Sequence, residues 1–167
     1  LDVPISGVDV LPSFCHVAGI APPRSLNLDG ASFIGALGGR PILRNKPLYW
    51  QFHAARGEDQ VAVIKNNWKL IGQFGGGSLP PHGDIFAEHQ KRIHNAELTR
   101  YQLFDLSVDE TTDVRQEHAS IAAPLENYMQ RIFKSVQADN PTWPAWTWPR
   151  EEGKLIRAYI DYEFRNF

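Results

Sequence analysis

The stretch "VAVIKNNWKLIGQF", Val61–Phe74, decides the fold. Two runs of strand formers flank Asn66-Asn67. Asparagine tolerates positive φ better than most residues, so the pair reads as the centre of a type I′ hairpin turn. A two-residue turn fixes the register: Lys65 opposite Trp68, Val63 opposite Leu70, Val61 opposite Gly72. One face then carries Val61, Val63, Trp68, Leu70 and Phe74, and the other carries Ala62, Ile64 and Ile71. Both faces are apolar. A sheet covered by one helix layer alternates apolar and polar residues, so this hairpin asks for a cover on each side.

Working outward, "PLYWQFHA" reads as a strand near 47–54. Leu48, Trp50 and Phe52 share one face, and Tyr49, Gln51 and His53 share the other. With strands near 60–65 and 68–74 from the hairpin and "RYQLFDL" near 100–106, four strands are expected. A helix at 120–138 carries an apolar stripe of Ala122, Leu125, Met129, Ile132, Phe133 and Val136, with Pro124 tolerable near its first turn. Upstream, "SGVDVLPSFCHVAG" reads as a short helix over 6–18. Ser6 caps it, Asp9 completes a capping box, Pro12 predicts a late start or a kink, and Gly19 provides a left-handed stop. Its apolar face is Val8, Leu11, Phe14 and Val17. "ASFIGALGG" is a second short helix, 31–38, and residues 84–99 read as a weakly helical surface excursion. Closely spaced strands followed by a long helix predict an α+β domain: a small antiparallel sheet packed against that helix, over residues 1–139. Residues 140–167 form a Trp- and Pro-rich tail. Polyproline geometry puts Trp143 and Trp146 on one side of it. Packing onto the domain is the reading adopted, with a sugar-stacking platform as its rival.

A chain of 167 residues, 43% hydrophobic, suits one domain with a real core. A net charge of −2 without a basic stripe argues against nucleic acid as a partner. No apolar run approaches the roughly 20 residues that span a bilayer, so no membrane partner is expected. The opening "LDVPISGVDV" lacks a charged n-region and an h-region, so no signal peptide is expected. Cys15 is the single cysteine, which leaves no internal disulfide and no zinc spacing. The only Asn-x-Ser/Thr string, at Asn140, is disqualified by Pro141.

The six histidines form no metal motif. His53 stands apart because it ends a strand and opens a polar loop with Arg56, a place where ligand-contacting residues collect. No nucleophile elbow and no phosphate loop occur. Asp105, Asp109, Glu110 and Asp113 have turn and cap spacing rather than that of a calcium loop. The residues alone assemble no nucleophile, base and oxyanion partner, so no catalytic residue and no metal ligand is assigned.

Five stretches taken in order, "GVDVLPSFCHVAGI", "LDGASF", "PLYW", "NNWKLI" and "YQLFDLSVDETTDV", resemble the C-terminal part of the type I sulfatases of the alkaline-phosphatase-like superfamily. The resemblance spans residues 1–139. It departs where the family commonly has proline after the aspartate of "DET", and in the Trp-rich tail. It implies a four-stranded antiparallel sheet with a long helix, leaning on a larger α/β domain that holds calcium and a formylglycine nucleophile. That nucleophile arises from a Cys/Ser-x-Pro-x-Arg motif, which this chain lacks: Cys15 is followed by "HVAG", and Ser78 leads to His82 where arginine is needed. The implied function is therefore that of a C-terminal fragment of a sulfatase acting on sulfated carbohydrate. It would support the absent catalytic domain, be inactive alone, carry no cofactor of its own, and reside in a bacterial periplasm or outside the cell. "YWQFHAAR" resembles versions in sugar sulfatases, which implies His53 and Arg56 at the sugar rim of the pocket. The rival expectations are a free-standing carbohydrate-binding or protein-interaction module, a small enzyme built on His53, and a dimerisation scaffold.

Overall fold

The structure, a computed structural model, describes residues 3–23, 25–53, 59–75 and 87–139. Arg56, the tail with Trp143 and Trp146, and the Ser78–His82 segment lie outside these residues. The architecture is α+β. Strands β1 (Leu48–Phe52), β2 (Gln60–Lys65), β3 (Trp68–Phe74) and β4 (Leu98–Asp105) form an antiparallel meander in that order. Helix α1 (Val10–Val17) precedes the sheet, α2 (Ala87–His94) lies between β3 and β4, and α3 (Ala119–Asp139) follows it.

The hairpin register is the expected one: Lys65 pairs with Trp68, Val63 with Leu70 and Val61 with Gly72. The turn type is not. Asn66 alone of the pair has positive φ, at 55°. A type I′ turn needs φ > 0 at both central residues, so asparagine's tolerance of the left-handed region is used at one position rather than two.

The α3 stripe forms the core. Ala122, Leu125, Met129 and Phe133 pack on Val61, Val63, Leu70 and Leu103, all buried. Fully burying each large side chain is worth about 1.5–3 kcal/mol. Gly72 makes the close approach possible, because a Cβ there would lie 2.7 Å from Met129 Sδ. Ile132 is half-buried and Val136 exposed, so the stripe narrows towards the C-terminus. Pro124 sits six residues into α3, deeper than a first turn, and removes the N–H that would reach Ser120.

The opposite sheet face is covered in part. Leu48 and Phe104 are buried, and Ala62, Ile64 and Ile71 are half-buried, whereas Trp50 and Phe52 are exposed. Lys69, from the same face, sits 5.5 Å over the Phe104 ring and pairs with Glu110 at 3.0 Å.

The N-terminal region is built on another principle. A 3₁₀ turn, Gly7–Asp9, leads into α1, as the late start at Pro12 anticipates. Gly19, at φ 68°, closes the helix, with its own N–H on His16 O and that of Ile20 on Cys15 O. The segment 31–38 contains a 3₁₀ turn at Ile34–Gly38 rather than an α-helix. The expected apolar face of α1 points outward: Val8, Leu11, Phe14 and Val17 are 45, 47, 67 and 70% exposed. The buried side chains are Asp9, Ser13 and Cys15.

Candidate functional site

Asp9 shows why α1 turns its polar side inward. Arg44 grips the carboxylate from two sides, Nη1 to Oδ1 at 2.5 Å and Nη2 to Oδ2 at 2.7 Å. Ala31 N–H donates to Oδ1 at 2.9 Å and Ser6 N–H to Oδ2 at 2.8 Å. Ser13 continues the network, its hydroxyl donating to Asp9 O and accepting from Phe33 N–H. Gly30 permits this, since a Cβ there would meet Val8 O at 1.9 Å. "GVD" and "LDG" are thus two halves of one interlock, with Asp29 taking Lys46 Nζ at 2.7 Å on its far side. Burial pushes the Asp9 carboxyl up, but the Arg44 hydrogen bond and the two backbone N–H groups outweigh it and hold it below the ordinary value. This hub is structural: every oxygen of Asp9 is occupied from within the chain.

His53 lies elsewhere, at the end of β1. Residues i and i+2 of a strand share a face, so Tyr49, Gln51 and His53 line up along the side that α3 covers. Tyr49 Oη donates to Gln51 Oε1 at 2.7 Å, and Gln51 Nε2 is 2.7 Å from His53 Nε2. Burial pushes the Tyr49 hydroxyl far up, which keeps it a donor. Gln51 then presents its NH₂ to the imidazole, His53 Nε2 accepts, and the ring proton rests on Nδ1. The imidazole stacks on Phe74, with centroids 4.7 Å apart and planes 7° apart. Burial lowers the His53 pKa, the Asp59 carboxylate raises it, and the Arg92 cation lowers it again, for a net fall. His53 is therefore a neutral, oriented ring with a single N–H to offer.

Asp59, Arg92 and Phe74 around His53 are the residues that sequence reasoning missed. Asp59 is buried, and its carboxylate lies 3.6 Å from Arg92. Arg92 comes from α2, a segment with no pairing signal to β1. The clue available in the sequence was the start of β2 at Gln60, which places Asp59 opposite the end of β1. The arrangement can orient a polar ligand or hold a loop. It places no hydroxyl or thiol nucleophile against His53 among the described contacts. An open cleft of about 410 Å³ lies between the α2–β4 turn and α3, and His53 does not line it.

The described residues do not fit the calcium ion implied for a sulfatase. No three His, Cys, Asp or Glu side chains converge among them, and the fully buried Asp9 is taken up by Arg44. Asp105, Asp109 and Asp113 cap their own turns. Asp105 accepts from Ser107, Asp109 from Thr111 and Thr112, and Asp113 from Leu103 and Arg115 N–H.

No protein-family model matches this chain, and no curated protein matches it either. No described helix is long and apolar enough to cross a membrane.

Proposed function

We propose that this chain is the C-terminal subdomain of a sulfatase-type hydrolase of sulfated carbohydrates, and that it seats a larger catalytic domain. The observation that carries the reading is the inside-out N-terminal helix. Large apolar side chains scattered singly over a surface need no explanation, but Val8, Leu11, Phe14 and Val17 with Ile5 and Ile20 are contributed by one short segment. That segment spends its polar groups inward, on Asp9 and Ser13. A covering domain accounts for the outward face. The motif order quoted above and the four-stranded sheet with its long helix support the same reading. In it the catalytic nucleophile and metal belong to the covering domain, this chain is inactive alone, and His53 and Arg56 approach the sugar.

The test is the longer reading frame. A Cys/Ser-x-Pro-x-Arg motif encoded upstream of Leu1 is expected, with hydrolysis of 4-methylumbelliferyl sulfate by the full protein and none by the 167-residue chain. An upstream frame without the motif, or hydrolysis by the chain alone, overturns the reading. In the full protein, His53→Ala and Arg56→Ala are expected to raise KM for a sulfated sugar. An unchanged KM removes both from the pocket.

A further inference from the structure

A second cleft, of about 580 Å³, opens where the hairpin tip, the approach to β1 and α3 meet. Its lining differs in kind from the His53 region. Trp68 and Tyr128 supply aromatic surface, Lys65 and Arg131 supply positive charge, and Asn45 and Asn66 supply amides. No acidic side chain lines it among the described residues. Neither Lys65 nor Arg131 has a carboxylate partner among the described residues. Arg131 stands 5.6 Å over the Tyr128 ring, which holds the guanidinium at the wall of the cleft.

The geometry points to a binding site for an anionic sugar ring. Aromatic faces take the CH-rich side of a pyranose. Planar amides offer donor and acceptor together, as neighbouring hydroxyls require. Two cations without a carboxylate partner among the described residues fit a sulfate or carboxylate substituent. The volume suits one or two sugar residues, within the range of about 300–1,000 Å³ common for small-ligand clefts. A nucleotide fits less well, because no glycine-rich phosphate loop lines the cleft among the described residues, and the first turn of α3 meets it through the apolar side chain of Ile121. The left-handed Asn66 gives the tip its place in the site: with φ at 55° it turns the hairpin so that Lys65, Asn66 and Trp68 all border one cavity. The site stands on its own lining, so a parent without the sulfatase motif leaves it intact.

The test is titration of the whole 167-residue chain, followed by amide and indole NMR and by calorimetry. The probes are a sulfated chondroitin disaccharide, a galacturonate disaccharide, neutral cellobiose and AMP. Binding of at least one anionic sugar is expected, at least tenfold tighter than cellobiose, with shifts at Lys65, the Trp68 indole, Tyr128 and Arg131. The stronger of the two anionic probes identifies the substituent as sulfate or carboxylate. Both cations lie at the surface, so Lys65→Gln with Arg131→Gln keeps the fold and is expected to weaken that binding at least tenfold. Tyr128→Phe retains it, and Tyr128→Leu weakens it. Absence of binding at millimolar probe, an unaffected double variant, shifts confined to other residues, or AMP binding as tight as the sugar each overturns the site.

Discussion

Residues 48–139 and residues 3–47 meet the same demand for order by opposite means. The sheet and α3 are held by an apolar core of Leu70, Leu103, Met129 and their neighbours. The N-terminal segment buries Asp9 and Ser13, and leaves Phe14 and Val17 in water. The first solution rests on area removed from solvent, which is forgiving of detail. The second rests on one carboxylate whose partners must all be present. A domain that closes its own core can stand by itself. A segment ordered by a polar hub, with its apolar side exposed, depends instead on every partner of that hub.

The largest expected effect falls on the hub. Asp9→Ala strips Arg44 and two N–H groups of their acceptor, and removing one partner of a buried pair costs about 3–5 kcal/mol. Amide hydrogen exchange should quicken over residues 6–33 while β2 and β3 stay protected; uniform loss of protection would merge the two regions into one cooperative unit. Next comes the core. Met129→Ala leaves a cavity beside Gly72 and should cost about 2–5 kcal/mol, read as a lower Tm of the sheet–helix unit, and an unshifted Tm would deny α3 its role there.

A smaller effect follows pH. The folded pKa of His53 lies below its unfolded value, so the unfolded chain binds the extra proton first and acidification favours unfolding. Stability should fall as pH drops through the ordinary histidine range and level off below the folded pKa. The contribution of Asp9 is lost only below the ordinary carboxylate value of 3.8, so the two windows separate. His53→Gln should flatten the upper one; an unchanged profile between pH 7.5 and 5.5 would clear His53 of it. The smallest effect is expected for Phe14→Ser with Val17→Ser, within about 0.5 kcal/mol per substitution in this chain. The same pair should markedly lower the Tm of the longer protein, and equal indifference in both would leave the α1 face without a partner.

The sheet was legible because strand alternation and a two-residue turn leave little freedom. The residues opposite each other in β2 and β3 follow from counting alone. Turn type was less legible, since asparagine permits positive φ without requiring it. The N-terminal region misled for a physical reason. Spacing identifies an apolar face but not which way it points, and Val8, Leu11, Phe14 and Val17 give the same pattern buried or bare. Asp9 read as a local cap, and it does accept from Ser6 N–H. Its main partner, Arg44, lies 35 residues away with no period to announce it. His53 was visible as the end of a strand, whereas Asp59 and Arg92 reach it through tertiary packing that no local pattern encodes.

The polar hub also sets how each denaturant would act. Urea acts in proportion to the surface that unfolding exposes, and the N-terminal segment already shows its apolar side to water, so urea gains little by opening it. Guanidinium is a salt as well as a denaturant. It screens charge and competes for the Asp9 carboxylate with the same fork of N–H groups that Arg44 uses. The two agents would thus take the molecule apart in different orders, with guanidinium loosening the segment around Asp9 ahead of the sheet and urea leaving it until the sheet gives way.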